Sequence, residues 1–180
     1  MSSWNPVTLT RACTATTVPY GQEVTLDAGG LVEVVQRLGA SVTVRTEMGA
    51  LLRIAGIDAD AVGLDPVEVS AAAADGPFEL GRVIDALQQI YDPEIPVSIV
   101  ELGLVYRCEE VIGADGYRRI EIDMTMTAPG CGMGDVLRAD ALRAVRSIPG
   151  VDDVEVTLVF DPPWTVNRMS EAARLELGLL

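Results

Sequence analysis

A cysteine surrounded by glycines is the feature of this sequence best suited to chemistry. It lies in the segment Thr127-Ala128-Pro129-Gly130-Cys131-Gly132-Met133-Gly134, between a predicted strand and a predicted helix. Gly130, Gly132 and Gly134 leave backbone N–H groups uncovered, and these donors favour negative charge near the helix N-terminus. We therefore expect a lowered pKa for the Cys131 thiol, and its thiolate would be both a nucleophile and a soft metal ligand. The structural alternative is a glycine-rich turn around a small buried cysteine.

A pair of carboxylates in Asp92-Pro93-Glu94 is the second candidate. The predicted helix Leu80–Tyr91 ends just before them, where the helix dipole disfavours negative charge by about 0.3–1 kcal/mol per group. One explanation is that Asp92 and Glu94 supply hard oxygen ligands or a polar contact near a metal. The other is an Asp-Pro turn with a solvated glutamate. Residue types alone leave both interpretations open.

The composition excludes several kinds of chemistry. Among the 180 residues there is no histidine, and all 13 basic residues are arginine, so Cys-His and Ser-His pairs, imidazole metal sites and Schiff-base lysines are absent. The 27 acidic residues give a net charge of −14, which argues against nucleic-acid binding. Three cysteines are too few for a disulfide scaffold. With neither a signal peptide nor a membrane span in the sequence, we expect a soluble, cytoplasmic protein.

The elements that would position these residues fall into two predicted domains. Residues 1–75 form a β-rich domain, with strands predicted over 24–27, 31–38, 41–45 and 51–54 in a small barrel or sandwich. The small-residue segment 70–77 contains the expected boundary. Residues 76–180 form a compact α-β-β-α-β domain with helices packed on a three-stranded sheet, so the fold class is α+β.

Hydrophobic periodicity predicts the individual elements of the second domain. Besides the helix at residues 80–91, helices are predicted at Gly134–Ile148 and from a Ser170 cap to Gly178. A single helical turn is expected after a capping box at Ser98–Glu101. Strands are predicted at residues 104–111, 120–126 and 154–160, the first two joined by a hairpin turn at residues 113–116.

Four ordered motifs resemble a known family. They are Asp92-Pro93-Glu94-Ile95-Pro96, Glu101-Leu102-Gly103-Leu104-Val105-Tyr106, Thr125-Met126-Thr127-Ala128-Pro129-Gly130-Cys131, and Asp161-Pro162-Pro163-Trp164-Thr165. Together they resemble the domain shared by SufT proteins, the PaaD proteins of phenylacetate degradation and the eukaryotic targeting factors of cytosolic iron–sulfur assembly. The resemblance covers about residues 78 to 180, and the N-terminal segment with Val18-Pro19-Tyr20-Gly21 looks like SufT specifically.

The resemblance implies a non-enzymatic role in maturing iron–sulfur proteins. It places the family's reactive cysteine at Cys131, its aspartate at Asp92 and its loop threonine at Thr127. The implied cargo is a labile iron–sulfur cluster or iron, and the implied partners are iron–sulfur apoproteins and Suf-type assembly machinery. Since a cluster needs about four thiolates, it would be shared in a homodimer, completed by an outside thiol, or completed weakly by Asp92 or Glu94.

The sequence is also compatible with two other functions. The domain could recruit target proteins as an adaptor without binding a cluster. It could also be a thiol redox protein that uses Cys131, although the sequence has no CxxC motif to resolve an oxidised thiol. Cys13 and Cys108 are the remaining candidates for that resolving role.

Overall fold

The computed structural model describes residues 4–67, 77–130 and 132–179. Tertiary contacts divide the chain into two compact units, Met1–Val69 and Ser70–Leu180. Cys131 and residues 70–76 of the predicted boundary segment lie outside the described residues. The fold is α+β, as predicted, with a large antiparallel sheet in the first unit and a three-stranded sheet with helices in the second. No helix in the described ranges is long and apolar enough to cross a bilayer.

The first unit is built on one six-stranded sheet rather than on a barrel or a sandwich. The strand order is β1-β4-β5-β6-β2-β3, and each neighbouring pair is antiparallel. A 3₁₀ segment at Gly56–Val62 follows the last strand. The strands are β1 (Val7–Thr8), β2 (Cys13–Val18), β3 (Glu23–Leu26), β4 (Leu31–Leu38), β5 (Ser41–Thr46) and β6 (Leu51–Ala55).

The core of the first unit consists of small and branched aliphatic side chains. The sequence pattern predicts β3 to β6 but not β2, because the buried residues of β2, Cys13 and Ala15, are small and alternate with threonines. Cys13 is therefore an ordinary core residue of this unit. The buried members of the core are Leu9, Cys13, Ala15, Val32, Val42, Val44, Leu52, Ile54, Ala59, Ala61 and Val62.

The second unit has the predicted α-β-β-α-β order followed by a short C-terminal helix. Its three-stranded sheet has the order β7-β8-β9, in which β7 and β8 are antiparallel while β8 and β9 are parallel. The second helix packs against the third strand and against the first helix. The elements are α1 (Leu80–Leu87), β7 (Val105–Ile112), β8 (Arg118–Met124), α2 (Gly134–Arg146), β9 (Asp153–Leu158) and α3 (Glu171–Glu176).

The predicted core faces of this unit are confirmed except at the end of β9, where Leu158 is only half-buried. The alternating residues of β8 and the helical stripe of α2 are buried, as their periodicity requires. Phe160, predicted to continue the buried face of β9, is 47% exposed because the strand ends at Leu158. The confirmed core positions are Val83, Leu87, Ile90, Ile120, Ile122, Met124, Met126, Leu137, Ala141, Val145, Ile148, Val154 and Val156.

The opposite face of this sheet is covered by charged side chains. Arg107 on β7 donates to Asp123 at 2.7 Å and lies 3.3 Å from Glu121, both on β8. Arg119 on β8 pairs with Asp153 on β9 at 3.3 Å. Because opposite charges face each other across neighbouring strands, cross-strand ion pairs stabilise this solvent-facing side of the sheet.

Candidate functional site

The loop between β8 and α2 is anchored by buried residues on both sides. Met126 is 3% exposed and Met133 is 1% exposed. Between them the chain comes to the surface, and Gly130 and Gly132 are exposed. A glycine-rich surface loop is thus fixed at two buried methionines, one after the strand and one before the helix. Cys131 belongs to this loop by sequence and lies outside the described residues.

The other predicted loop residues occupy different environments. Thr127 is half-buried, and Gly134 is buried as the first residue of α2. Gly130 has φ +79°, a backbone conformation that favours glycine. A β-carbon on Gly134 would meet Met126 Cγ at 3.5 Å and Leu158 Cδ1 at 3.4 Å, which are ordinary contacts. The structure therefore gives Gly130 a conformational role that Gly134 does not have.

Asp92 forms a tight turn with the residues that follow it. Its Oδ1 accepts hydrogen bonds from the backbone N–H groups of Glu94 at 2.8 Å and Ile95 at 3.0 Å. Asp92 is 4% exposed. Burial raises the pKa of its carboxyl, and the two N–H donors oppose that rise. The turn interpretation of Asp92 is confirmed, and its role as a metal ligand stays a prediction.

The helix before Asp92 is shorter than predicted. The periodicity predicts a helix as far as Tyr91, but α1 ends at Leu87, and Gln88 and Ile90 close it with turn hydrogen bonds. Tyr91 instead forms an isolated β-bridge with Ser98. Tyr91 continues the apolar pattern of the helix in the sequence, but its β-bridge with Ser98 places it outside the helix. The helix dipole is therefore not the dominant influence on Asp92; burial is.

Glu94 is exposed, and its backbone rather than its side chain makes the turn. Across residues 4–67, 77–130 and 132–179, no three or more cysteine, aspartate or glutamate side chains are close enough together to hold a metal ion. The described residues therefore do not bring Asp92 and Glu94 into a complete metal site. Any such site would need ligands beyond them.

A ladder of backbone hydrogen bonds connects the Asp92 turn with the start of the loop. Ile99 N–H donates to the Ile90 carbonyl oxygen at 2.9 Å, and Leu104 N–H donates to the Ile99 carbonyl oxygen at 2.9 Å. Thr125 N–H then donates to the Leu104 carbonyl oxygen at 2.8 Å. The second and third motifs are thus joined directly by a buried main-chain hydrogen bond, and the second is also joined to Ile99, which pairs with Ile90 on the other side of the Asp92 turn.

Thr125 is a residue of this region that the sequence analysis did not single out. It is 1% exposed, and its Oγ1 has no hydrogen-bond partner among the described residues. Buried hydroxyls without a partner are rare, because each one costs about 1–3 kcal/mol. Spacing could not reveal this, since Thr125 breaks the alternation by being buried directly after Met124. Its place at the entrance to the loop makes it a candidate functional residue.

The fourth motif packs on the second. Trp164 Nε1 donates to the Leu102 carbonyl oxygen at 2.7 Å, and Tyr106 Oη donates to the Pro162 carbonyl oxygen at 2.9 Å. The Arg168 guanidinium stacks over the Tyr106 ring at 3.9 Å from its centroid. These contacts hold the C-terminal segment against the strand that begins at Val105.

The turn that carries the second motif has half of the predicted capping box. Ser98 Oγ accepts the N–H of Glu101 at 3.2 Å, which confirms the single helical turn. The Glu101 carboxylate accepts a hydrogen bond from Ser170 Oγ instead of turning back to Ser98. Ser170 also caps α3, because its Oγ accepts the Ala173 N–H at 3.1 Å. One serine thus links the last helix to the turn.

The two described thiols have unfavourable environments for ionisation. Burial, together with the charge of Glu109, raises the pKa of Cys108 to about 11. Cys108 is half-buried in the middle of β7. Burial likewise raises the pKa of Cys13 in the first unit. Neither of them is a good thiolate ligand or nucleophile near neutral pH.

Known proteins share the second unit. A family model described as "Iron-sulfur cluster assembly protein" matches residues 81–158, the stretch from α1 to the end of β9 that includes the loop. The "Fe-S protein maturation auxiliary factor" of Porphyromonas gingivalis is 43% identical over 98 residues, which are 54% of this chain and 90% of that protein.

Two further relatives carry related names. The "Fe-S protein maturation auxiliary factor SufT" of Staphylococcus aureus is 38% identical over 90 residues, 50% of this chain and 98% of that protein. An "Iron-sulfur cluster carrier protein" of Synechocystis sp. is 31% identical over 81 residues, 45% of this chain and 22% of that protein. The chain belongs to the iron–sulfur cluster assembly protein family. Within that family it is of the SufT type, which confirms the resemblance seen in the sequence motifs.

Proposed function

We propose that this chain is a non-enzymatic accessory factor that holds an iron–sulfur cluster, or iron, transiently at the β8–α2 loop and delivers it to apoproteins. Cys131 supplies the thiolate, and the cluster is cargo. The partners are iron–sulfur apoproteins and Suf-type assembly machinery in the cytoplasm. The observation that carries the proposal is that this loop lies inside the region matched by the family of iron–sulfur assembly proteins.

The architecture around the loop supports this role. Met126 and Met133 bury the two ends of the loop in the core. Gly130 and Gly132 expose main chain there without side chains of their own. Ligand exchange requires a thiolate that an acceptor protein can reach, and we propose that Cys131 meets this requirement.

The supply of thiols supports transient rather than permanent binding. A cluster takes about four thiolate ligands. Cys108 has its pKa raised to about 11, and Cys13 is a core residue of the other unit, so Cys131 is left as the favourable thiol of one chain. The remaining ligands would come from a second copy in a homodimer, from an outside thiol, or weakly from Asp92 or Glu94. Exchangeable ligands of this kind make a cluster easy to hand over.

The same thiol environments count against the redox alternative. A thiol redox protein that uses Cys131 needs a second thiol to resolve the oxidised one. Cys108 lies mid-strand with little thiolate at neutral pH, and Cys13 is 6% exposed. The adaptor alternative, in which no cluster binds, differs from the carrier proposal in whether the chain retains iron after reconstitution.

Anaerobic reconstitution tests the proposal. The full chain is incubated with ferrous iron, sulfide and a thiol reductant, desalted, and examined by absorption spectroscopy and iron counting. Cys131→Ala is compared with the matched control Cys108→Ala, which also removes one thiol. We expect the wild type and Cys108→Ala to retain equal amounts of iron and Cys131→Ala to retain only the background. We also expect the loaded wild type to pass its iron to an apo-ferredoxin.

Two results would contradict the carrier proposal. If Cys131→Ala retains as much iron as the wild type, the thiolate is not the ligand. If no variant retains iron while the chain still binds apoproteins in pull-down assays with purified partners, the chain is an adaptor.

A further inference from the structure

One face of α2 carries a row of arginines in an otherwise acidic chain. An open groove of about 550 Å³ runs along it. Residues spaced by three or four positions share one side of a helix, and the lining positions 138, 142 and 146 and 139, 143 and 147 recur every four residues, so the groove follows a single face of α2 for about two turns. Its lining, called here the arginine groove, consists of Arg138, Ala139, Leu142, Arg143, Arg146 and Ser147.

Positive charge in this groove is available to a ligand. The Arg143 side chain is 72% exposed and lies 3.3 Å from Asp140, whose side chain is only 13% exposed. Arg146 is exposed and makes no ion pair with any residue in the described parts of the chain. The groove thus concentrates three of the 13 arginines of a chain whose net charge is −14. An acidic partner would be repelled by most of the molecule and attracted here.

Arg138, the third arginine of the groove, is bonded to the edge of the neighbouring sheet. Arg138 Nε donates to the Val156 carbonyl oxygen at 2.7 Å. Val156 is in the middle of β9, which is an edge strand of the three-stranded sheet. Because a side chain already occupies this edge carbonyl, adding a further strand to β9 is disfavoured at its centre. A ligand would lie along the helix instead.

We propose that the arginine groove docks an acidic segment of a partner protein. Carboxylates of that segment would pair with the fork-shaped guanidinium groups of Arg143 and Arg146, and its stem atoms would rest on Ala139 and Leu142. The groove spans about 12 Å between positions 138 and 146 at 1.5 Å per residue. An extended segment of about four residues, at about 3.3 Å each, covers that distance. This inference does not depend on the proposed carrier function.

Fluorescence anisotropy with the full chain tests the docking proposal. The probe is a labelled peptide of about twelve alternating glutamates and serines, long enough to cover the groove at about 3.3 Å per residue. The test variant is Arg143→Gln/Arg146→Gln. The charge-matched control is Arg37→Gln/Arg119→Gln, because Arg37 contacts Asp65 in the first unit and Arg119 lies on the opposite face of the sheet. A peptide with glutamine in place of glutamate and a single-stranded oligonucleotide serve as further probes.

We expect the glutamate peptide to bind the wild type and the control double variant equally. Binding to Arg143→Gln/Arg146→Gln should be at least about tenfold weaker, because two charge-assisted contacts are lost. The glutamine peptide and the oligonucleotide should bind weakly or not at all. The proposal is overturned if the glutamate peptide does not bind, or if both double variants lose affinity equally. It is also overturned if the oligonucleotide binds as tightly through the same arginines, since the groove would then be a general anion site.

Discussion

The backbone of Gly103 lies directly against the backbone of Arg168. A β-carbon on Gly103 would be 2.1 Å from the Arg168 carbonyl oxygen and 2.7 Å from its carbonyl carbon. Gly103 also has φ +68°, in the left-handed region. The contact brings the turn before β7 against the segment before α3. Any side chain at position 103 would push the two segments apart.

Gly103→Ala should therefore destabilise the fold by about 2–5 kcal/mol, from left-handed strain together with overpacking. Gly116→Ala is the matched control, because Gly116 has φ +82° and a β-carbon there would meet nothing within 4 Å. That control should cost only about 1 kcal/mol. Denaturant unfolding of the three proteins measures both values. Equal losses would mean that backbone strain alone, and not the approach to Arg168, makes Gly103 necessary.

Asp92→Asn should make the fold more stable at neutral pH than the wild type. The amide oxygen can accept the same two N–H groups, and no charge is buried. Burial raises the pKa of Asp92 in the folded protein above its value in the unfolded chain. The Asp92 carboxyl therefore stabilises the fold fully only at low pH, where it is neutral in both the folded and the unfolded state. That contribution is lost as the pH rises through the raised pKa. The difference between Asn and wild type should therefore shrink as the pH falls below the ordinary carboxyl range, as chemical denaturation across pH would reveal.

Asp92→Ala is the control for the turn. It leaves the N–H groups of Glu94 and Ile95 without an acceptor and, relative to Asp92→Asn, should cost about 1–3 kcal/mol at every pH, because neither variant titrates at this position. Parallel pH profiles of stability for the wild type and Asp92→Asn would show that the pKa of the Asp92 carboxyl is not raised.

Iron retention by Asp92→Asn separately tests whether Asp92 is a metal ligand. A decrease in retained iron supports that role, and no change leaves Asp92 as a turn residue.

Cys131 should be alkylated faster than the other two thiols. At pH 8, Cys108 with its pKa of about 11 is ionised to roughly one part in a thousand. Burial also suppresses Cys13. Iodoacetamide labelling followed by peptide mass spectrometry, repeated over a pH series, gives the three rates. The pH dependence of the Cys131 alkylation rate gives the pKa of its thiol. A pKa at or above about 8.5, the value of a free thiol, would contradict the lowered pKa predicted from the loop glycines.

Thr125→Val should raise stability by about 1 kcal/mol if the hydroxyl is an unsatisfied group without another role. Valine keeps the shape and removes the polar atom. Thr125→Ser is the control, since it keeps the hydroxyl and loses a buried methyl, at a cost of about 1 kcal/mol. Cluster delivery that falls in the more stable Val variant and persists in the Ser variant would assign the hydroxyl to function. A loss of stability in Thr125→Val would instead reveal a partner for the hydroxyl.

A fragment of residues 76–180 should fold alone. It contains α1, α2 and α3 and the β7-β8-β9 sheet with its buried core. Circular dichroism and a cooperative thermal transition would detect the folded fragment, with the full chain as reference. A fragment without cooperative unfolding would mean that the predicted domain boundary is wrong.

Local patterns predict the elements of the second unit well. The stripe from Leu137 to Ile148 and the alternation from Ile120 to Met124 report burial directly, since each depends only on the period of its own element. The Ser98 and Ser170 caps are also local, and both are present. Thus the frame that supports the loop is largely encoded in short-range sequence.

Features that depend on tertiary partners are not predictable in this way. The end of α1 at Leu87 is set by the bridge between Tyr91 and Ser98, and the need for glycine at position 103 is set by Arg168. The parallel pairing of β8 with β9 likewise arises only when distant segments meet. The same holds for the Thr125 hydroxyl, which has no hydrogen-bond partner among the described residues. The arginine groove combines one helix face with a long-range contact to Val156, so spacing alone could not define it.

The parallel pairing of β8 with β9 also matters while the chain is being synthesised. The β7–β8 hairpin is local and can form as soon as Met124 has emerged, but the partner on its other side is not complete until Leu158. Until then β8 presents an open strand edge on the side that β9 will occupy. Nascent chains that stall within α2 therefore expose a strand edge suited to aggregation. β9 therefore closes the sheet only after both the segment that carries Cys131 and α2 have been made.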